Sequence, residues 1–499
     1  MNKELTKTFG HAGIYTVGII LNRAVSFVML PIYTRYLTPS DYGVLELLEM
    51  TVDVVITLTA LGIHQGFFKF YYAYEADNDR KELVSTVFIM SITLLVLSTV
   101  AFGTASSGIS HLVFGSEQYS HFVLISFINM FFQFLLVLSL GYLRVQYKSL
   151  LFVVINGLKL ALQLFLNIVF VIHFKMGIIG VLYSTMIASL IIGIGMTSYV
   201  LLGVGLRFSK YKAVELLKFG FPFIISSYGA FILTFSDRYF LNYYRTLSDV
   251  GTYSLAYKFG FLLMTFPVLP LHNIWMAQRF ELVKKVDYEE TFNRYLSWFC
   301  IITLTVGLVI SMEVRDVLRA MSAPAFWEAY KVVPIIVLAY FMQGCTDIFN
   351  FGIHYSGKTK HMAYGTGLAA FCIIALSFLL IPRYGAVGAA WATLISFIVR
   401  LFYVYYASQK LFRVNYKLGR PLGTLIISVL MYLIYLGASQ FSGFNTVYVS
   451  STVALCLLFL FSMLLVSFNI IKADEKRILI NSLKSPIRTF SEIKNQLAS

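Results

Sequence analysis

Charge is what this sequence has least of. Asp, Glu, Lys and Arg supply 13% of its 499 residues and hydrophobic residues 58%, against about 25% and about 45–50% in water-soluble domains. A polar surface able to keep such a chain dissolved cannot be built, which excludes a soluble enzyme or a soluble binding module. Long polar connections are scarce too: the longest between apolar runs is about 12 to 16 residues, too short to fold a catalytic domain. The four cysteines, Cys300, Cys345, Cys372 and Cys456, sit inside apolar runs with no Cys-x-x-Cys spacing and no paired His. They read as small buried hydrophobes, and no metal or disulfide is expected. The ten-residue alternation of an outer-membrane barrel is absent. No cofactor and no Gly-x-x-x-x-Gly-Lys-Ser/Thr phosphate loop are expected, so energy for any transport has to come from outside the chain.

What is abundant is apolar runs long enough to cross a bilayer. A helix needs about 20 residues to span about 30 Å of hydrocarbon, and in lipid every backbone group must be satisfied within the segment, which selects helix. Spans are expected at roughly 11–37, 42–66, 83–105, 119–143, 150–174, 177–204, 214–243, 250–276, 291–312, 328–355, 362–381, 385–409, 421–441 and 446–470. The chain is thus expected to be an all-α polytopic membrane protein of about fourteen spans. The first run carries Arg23 and is too long for a cleaved signal.

The net charge of +15 suggests nucleic acid until its placement is examined. With the N-terminus inside, 25 of the 39 Lys and Arg fall in inner segments, 5 in outer ones and 9 within the spans as bounded above. The positive-inside rule then puts both termini in the cytoplasm and the basic face against anionic phospholipid, with no nucleic-acid partner. Beyond residue 471, Leu479, Leu483, Ile487, Phe490 and Leu497 recur at helical spacing, which predicts an amphipathic tail on the inner leaflet that Pro486 interrupts.

Three short matches recur in order: Phe9-Gly10 with Phe219-Gly220, Ser40-Asp41-Tyr42-Gly43 with Ser248-Asp249-Val250-Gly251, and Gly177-x-x-Gly180 with Gly385-x-x-Gly388. Their offsets are 210, 208 and 208. Collinear matches at nearly one spacing indicate a duplication. An even number of spans separates equivalent positions, so the halves should be parallel repeats about an axis along the membrane normal. The expected divisions are an N-terminal six-helix lobe at 1–210, a C-terminal six-helix lobe at 211–417, two accessory spans at about 418–471 and the tail at 472–499.

Polar residues inside the spans are not scattered. A charge at a helix centre costs about 2.5–3.5 kcal/mol on the gentlest scale, so intramembrane cations must face water, protein or substrate. Asn156, Lys159, Gln163 and Asn167 form one stripe, Gln343, Asp347, Asn350 and His354 a second, and Glu46, Glu49, Asp53, Thr57 and His64 a third. Glu46 and Glu49 lie near the outer surface. Arg23 with Asn22 and Ser26, Lys258 with Ser254, and Arg400 with Ser396 extend the pattern. Either these groups pair across helices and lock the bundle, or they line a cationic cavity; their presence in both halves favours the cavity.

The segment Asn22-Arg23-x-x-Ser26 followed by Leu30-Pro31-Ile32-Tyr33-Thr34-Arg35-Tyr36-Leu37-Thr38-Pro39-Ser40-Asp41-Tyr42-Gly43 resembles the start of Wzx-type oligosaccharide flippases. That family belongs to the multidrug/oligosaccharidyl-lipid/polysaccharide exporter superfamily, with the lipid II flippase and the MATE drug exporters. Ser236-Asp237-Arg238-Tyr239 and Gly251-x-Tyr253-Ser254 are similar to the same family. The resemblance implies a MATE-like fold and a non-enzymatic flippase in a bacterial inner membrane. It would move an isoprenoid-pyrophosphate-linked oligosaccharide to the outer leaflet by alternating access, for O-antigen, capsule or exopolysaccharide synthesis. Polysaccharide-assembly proteins would be its partners. Arg23, Lys159, Lys258 and Arg400 would hold diphosphate or acidic sugar, with Arg23 where the family's first-helix arginine stands. Asn156, Gln163, Asn167, Gln343 and Asn350 would contact sugar. Asp53, Asp237, Asp347 and His354 are candidates for coupling to H+ or Na+, though Asp237 has an Arg beside it to pair with.

Two rival functions remain at this level. A MATE-type drug exporter would want an acidic or aromatic cavity for cationic drugs, whereas this chain carries cations. A membrane glycan polymerase or ligase would want a long external loop. Asp77-Asn78-Asp79 resembles the Asp-x-Asp metal site of glycosyltransferases, yet reads as a solvated charge run. The charge count makes a direct prediction: a green fluorescent protein fused after Ser499 should fluoresce, and an alkaline phosphatase fused there should be inactive. The reverse pattern would overturn the assigned orientation.

Overall fold

A computed structural model describes residues 29–60, 62–440 and 446–470. A helical stretch ends near residue 36 and is followed by α1 (Pro39–Thr59), α2 (Ile63–Ala73), α3 (Asp77–Thr104), α4 (Ser106–Phe114), α5 (Ser120–Val145), α6 (Ser149–Asn167), α7 (Gly177–Val204) and α8 (Lys210–Tyr244). Then come α9 (Leu247–Leu263), α10 (Leu269–Leu282), α11 (Tyr288–Met321), α12 (Val333–Phe349), α13 (Phe351–Tyr355), α14 (Lys360–Leu411), α15 (Gly419–Ala438) and α16 (Val447–Ser467). No strand occurs among the described residues.

Ten helical segments among the described residues are long and apolar enough to cross a membrane, or eleven if the bent α8 is one span. One of the ten is α14, whose 52 residues would extend about 78 Å at about 1.5 Å each, far beyond one bilayer. It breaks at Gly385, which has φ 55° and ψ −132° three residues after Pro382, and so accounts for the two spans expected at 362–381 and 385–409. Arg245 closes this break by donating from one amino nitrogen to the Pro382 carbonyl at 2.8 Å. The second expected span divides into α1 and α2, and most of the first lies outside the described residues, as does the predicted amphipathic tail. The α9 helix runs into α10 through a π-helical turn, Met264–Val268, that holds Pro267.

The described residues form two compact units. One takes the chain up to Ala256 together with Leu318–Val332 and Met362–Arg400; the other takes Tyr257–Val317, Val333–His361 and the chain from Leu401. These units cut through α9, α11 and α14 and do not follow the two sequence halves.

Within the first unit the repeated motifs become repeated structures. Thr38 and Asp41 cap α1 reciprocally: the Asp41 amide donates to Thr38 Oγ1 at 3.2 Å, and the Thr38 amide to Asp41 Oδ2 at 2.9 Å. Thr246 and Asp249 do the same for α9, at 3.2 Å in both directions. Each box satisfies orphan amides and sets a carboxylate against the positive end of a helix dipole. The two capped ends then abut. A Cβ on Gly43 would stand 2.1 Å from the Leu247 carbonyl oxygen, and one on Gly251 would stand 1.9 Å from that of Pro39. Each helix thus presents glycine to the other's first turn, so backbones touch where any side chain would hold them apart. Gly177 and Gly385 likewise both take positive φ, 57° and 55°, to turn the chain into the next helix.

The same unit is clasped at the start of α8. The buried Lys212 ammonium donates to the Asp79 carboxylate at 2.9 Å, the Asp79 carbonyl at 3.0 Å and the Glu82 carboxylate at 2.8 Å. The amides of Arg207 and Ser209 donate to Ser85 and Thr86 hydroxyls. Nearby, burial and then its hydrogen bond to Glu215 push the Tyr74 phenol well above its ordinary range. Asp79 keeps its carboxylate half exposed to solvent while pairing with Lys212, and no group of three or more His, Cys, Asp or Glu suited to a metal occurs among the described residues.

In the second unit α15 and α16 pack through Ile427, Met431, Tyr435, Ala454 and Phe461 against Ile301, Leu308 and Met312 of α11. Polar pins fix them: Tyr435 donates to the Met312 carbonyl at 2.6 Å, Ser451 to Glu313 at 3.0 Å and Ser450 to Asp316.

The reciprocal glycines can be tested by size. Gly43→Val or Gly251→Val should lower the thermal midpoint in detergent by a few degrees, since overpacking a tight contact costs about 1–3 kcal/mol. Gly108→Ala, whose Cβ would meet nothing within 4 Å, should leave it in place. Equal midpoints for all three would contradict this packing.

Candidate functional site

Lys159 stands at the middle of α6, half-buried, and its ammonium donates to Gln163 Oε1 at 2.7 Å. The Gln163 amide then donates to Thr185 Oγ1 of α7 at 3.1 Å. Among the described residues Gln163 is the hydrogen-bond partner of this cation, and Glu49 of α1 lies within its electrostatic reach. Asn156, one turn earlier, is buried and turns its amide to the Phe152 carbonyl of its own helix at 2.8 Å. Asn167 is wholly buried where α6 gives way to a π-helical turn, and neither amide atom has a hydrogen-bond partner.

On α1, Glu49 and Asp53 are exposed one turn apart. Beside them the Tyr239 hydroxyl of α8 meets Thr51 Oγ1 at 3.1 Å, within electrostatic reach of Asp53. The far end of the same stripe, Thr57 and His64, joins Gln65, Ser227, Phe134 and Phe223 around a cavity of about 170 Å³. That holds a few waters at about 30 Å³ each and is below the ~300 Å³ of small-ligand sites.

Asp237 is different. It is fully buried, and three groups converge on its carboxylate: Arg238 at 3.0 Å, the Tyr253 hydroxyl and Thr393 Oγ1 at 3.2 Å. Arg238 also reaches the Thr234 carbonyl at 3.0 Å and lies over the rings of Phe235 and Tyr253. The arginine beside Asp237 in the sequence does pair with it, and the cluster ties α8, α9 and α14 together within the first unit. Arg400 belongs to this unit too and is half-buried.

The second unit holds Lys258 and Gln343, both half-buried, and a polar cluster that charge counting alone does not find. Arg279, assigned by that counting to the inner water-exposed segments, is wholly buried on α10. One of its amino nitrogens donates to Asn350 Oδ1 at 2.7 Å. Asp347 is within electrostatic reach, as is His354, and His272 Nδ1 is 3.9 Å from Asp347 Oδ2. The signal was present as a spacing: His272, Trp275 and Arg279 on α10 repeat the 3, 4 interval of Asp347, Asn350 and His354.

Of the four proposed substrate cations, Lys159 and Arg400 therefore lie in one unit, Lys258 in the other, and Arg23 outside the described residues. The letters Gly352-x-x-x-x-Gly357-Lys358-Thr359 do match a phosphate-binding loop, contrary to the expectation that nothing nucleotide-related occurs. Their context is wrong for one: helix rather than strand precedes them, and Gly352 is packed in α13 with its amide on Ser408 Oγ at 2.9 Å.

Comparison with known proteins places this geometry. A family model described as "Polysaccharide biosynthesis protein" matches residues 11–271, more than half of the chain. Among solved structures, lipid II flippase MurJ in an inward closed conformation is similar over 91% of this chain and 99% of its own, with TM-score 0.74 and 14% identity. An inward-facing multidrug resistance MATE family transporter of the MOP superfamily is similar over 79% and 96%, with TM-score 0.62 and 14% identity. A Vibrio cholerae MATE transporter, VcmN, is similar over 81% and 96%, with TM-score 0.51 and 14% identity. At these identities the likeness is one of fold, and the fold is that of a polytopic membrane protein of the MOP type. Curated protein sequences show no significant match.

The Asp237 cluster gives a stability prediction. Asp237→Asn leaves Arg238 buried without its counter-charge, a loss of about 3–5 kcal/mol for such pairs, and should sharply reduce accumulation in the membrane. Asp53→Asn, on an exposed carboxylate, should accumulate as wild type. Normal accumulation of Asp237→Asn would show that the pair is not structural.

Proposed function

Because the chain belongs to the polysaccharide biosynthesis protein family, we propose that it is a flippase, a transporter rather than an enzyme. Its cargo in this reading is an isoprenoid-pyrophosphate-linked oligosaccharide, carried from the cytoplasmic to the outer leaflet of a bacterial inner membrane for surface polysaccharide. The observation that carries the proposal is the half-buried Lys159, which donates to Gln163, itself anchored to Thr185 of the next helix, on a narrow polar stripe of an otherwise apolar helix. A lysine at that depth is costly unless an anion visits it, and a diphosphate is the anion such a lipid carries. Gln163, Gln343 and Asn350 offer the amides that sugar hydroxyls require, and Asp53 with Glu49 places carboxylates on the facing stripe.

The two-lobe reading of the chain, with lobes at 1–210 and 211–417, supplies the motion. Parallel repeats that rock about a shared contact expose a central site to one side and then the other, and the Gly43–Gly251 contact is where equivalent helices of the two repeats meet. The driving ion is H+ or Na+, with Asp53, Asp347 and His354 as its candidate sites. Asp237 is the weakest candidate, since Arg238, Tyr253 and Thr393 already occupy its carboxylate. The MATE-type fold is equally compatible with a drug exporter; the family membership and the intramembrane cations favour the glycolipid.

Arg23→Ala and Lys159→Ala should each bring surface polysaccharide in a deletion strain down to background while membrane levels of the protein stay normal. Lys159→Arg should restore at least part of it, because a guanidinium still binds phosphate. Wild-type glycan in both alanine variants would overturn the assignment.

A further inference from the structure

The second unit contains a half-buried titratable cluster, built around the buried Arg279, whose members His272 and Arg279 have no role in the reading above. The α10 helix presents His272, Trp275 and Arg279 along one face, and α12 with α13 presents Asp347, Asn350 and His354. Arg279 is fully buried and spends one amino nitrogen on Asn350, while its Nε and other amino nitrogen have no hydrogen-bond partner among the described residues. Among those residues His272 Nδ1 is also without a hydrogen bond, and it stands 3.9 Å from Asp347 Oδ2, beyond hydrogen-bonding distance yet within reach of an ion pair.

A guanidinium buried so completely needs a counter-charge, and Asp347 is the carboxylate within its electrostatic reach. With both imidazoles neutral, Arg279 and Asp347 carry opposite charges. An added proton is best accommodated in the gap between His272 and Asp347, where an imidazolium would stand beside a carboxylate within ion-pair reach and could close to a charge-assisted hydrogen bond. The remaining titratable groups packed around α10 cannot take that role near neutral pH. The Tyr295 hydroxyl of α11 is spent on the Leu271 carbonyl. Tyr416, which stacks edge-on against Phe349, and Tyr405 beside it are phenols, and Cys345 of α12 is a buried thiol. His354 is the other imidazole of the cluster, and it stands within electrostatic reach of Arg279 and of His272.

We propose that His272 and Asp347 form a proton-binding site, with Arg279 as its fixed internal counter-charge. The inference rests on the ion-coupled reading above and names the ion as H+ rather than Na+. A metal cation would meet a permanent guanidinium and a single carboxylate instead of a cage of oxygens. Its position suits a coupling role: Asn350, which Arg279 holds, is the residue at which α12 ends and α13 begins. A charge added beside Arg279 therefore acts on a joint in the helix rather than on a rigid rod.

Trp275, one turn from His272, provides a readout that requires no transport. In purified protein with Trp298, Trp327 and Trp391 replaced by Phe, indole emission should fall through a single transition as pH is lowered from about 8 to about 5, the range in which imidazole gains its charge and quenches a neighbouring indole. His272→Gln should abolish the transition, Asp347→Asn should displace it, and His361→Gln, outside the cluster, should keep it. If the triple replacement does not accumulate, the difference between wild type and Trp275→Phe carries the same signal. In cells His272→Gln should reduce surface polysaccharide at least tenfold. A transition that persists unchanged in His272→Gln, or no transition at all, overturns the proton site while leaving the flippase reading intact. Loss of the transition with wild-type polysaccharide would overturn the coupling role of the site.

Discussion

No water reaches the centre of a bilayer, so each polar atom carried there must find its partner in the protein, and that constraint orders this structure. Two capping boxes close the exposed amides of α1 and α9 before those ends meet. Arg245 takes up the carbonyl freed where α14 breaks, and serines of α16 answer the carboxylates of α11. Asp237 and Arg238 are tolerated at full burial because each neutralises the other and Tyr253 and Thr393 complete the carboxylate's shell. Polar groups that remain less fully answered, Lys159 in one unit and the Arg279 cluster in the other, stand out against this background, and they are the ones to which function is assigned.

The duplication gives those groups a frame. Helix ends related by the repeat approach as a reciprocal pair, each offering glycine to the other's backbone, and the turns at Gly177 and Gly385 both take a positive φ. Two positive helix ends meet here, and Asp41 and Asp249 set a carboxylate against each of them. Sequence, caps and close packing thus agree at one contact, the form of consistency that specifies a fold.

Much of this was legible in the sequence and some was not, for physical reasons. Apolar run length predicted α5, α6, α7, α15 and α16 nearly to their ends, since a span in lipid is set by hydrocarbon thickness. The Ser-Asp-x-Gly repeat pointed to paired helix starts because capping and close approach demand those residue types. Arg279 was misplaced because positive-inside counting treats a basic residue after an apolar run as a loop residue. Here the helix continues through the π-helical turn at Pro267 as far as Leu282, and burial depends on neighbours far away in the chain. The same limit applies to Asp79, whose partner Lys212 is 133 residues on, and to the phosphate-loop letters at Gly352, which a pattern cannot tell from a helical turn.

The most direct test of the central claim is leaflet exchange in a purified system. The protein would be reconstituted into vesicles carrying a fluorescent polyprenyl-diphosphate-linked oligosaccharide, and the fraction of sugar reachable by an external glycosidase followed over time. The account predicts that the protected fraction disappears far faster than in protein-free vesicles, and that the same lipid bearing a neutral linkage in place of the diphosphate is not moved. Exchange no faster than in empty vesicles, or equal exchange of the neutral lipid, would contradict it.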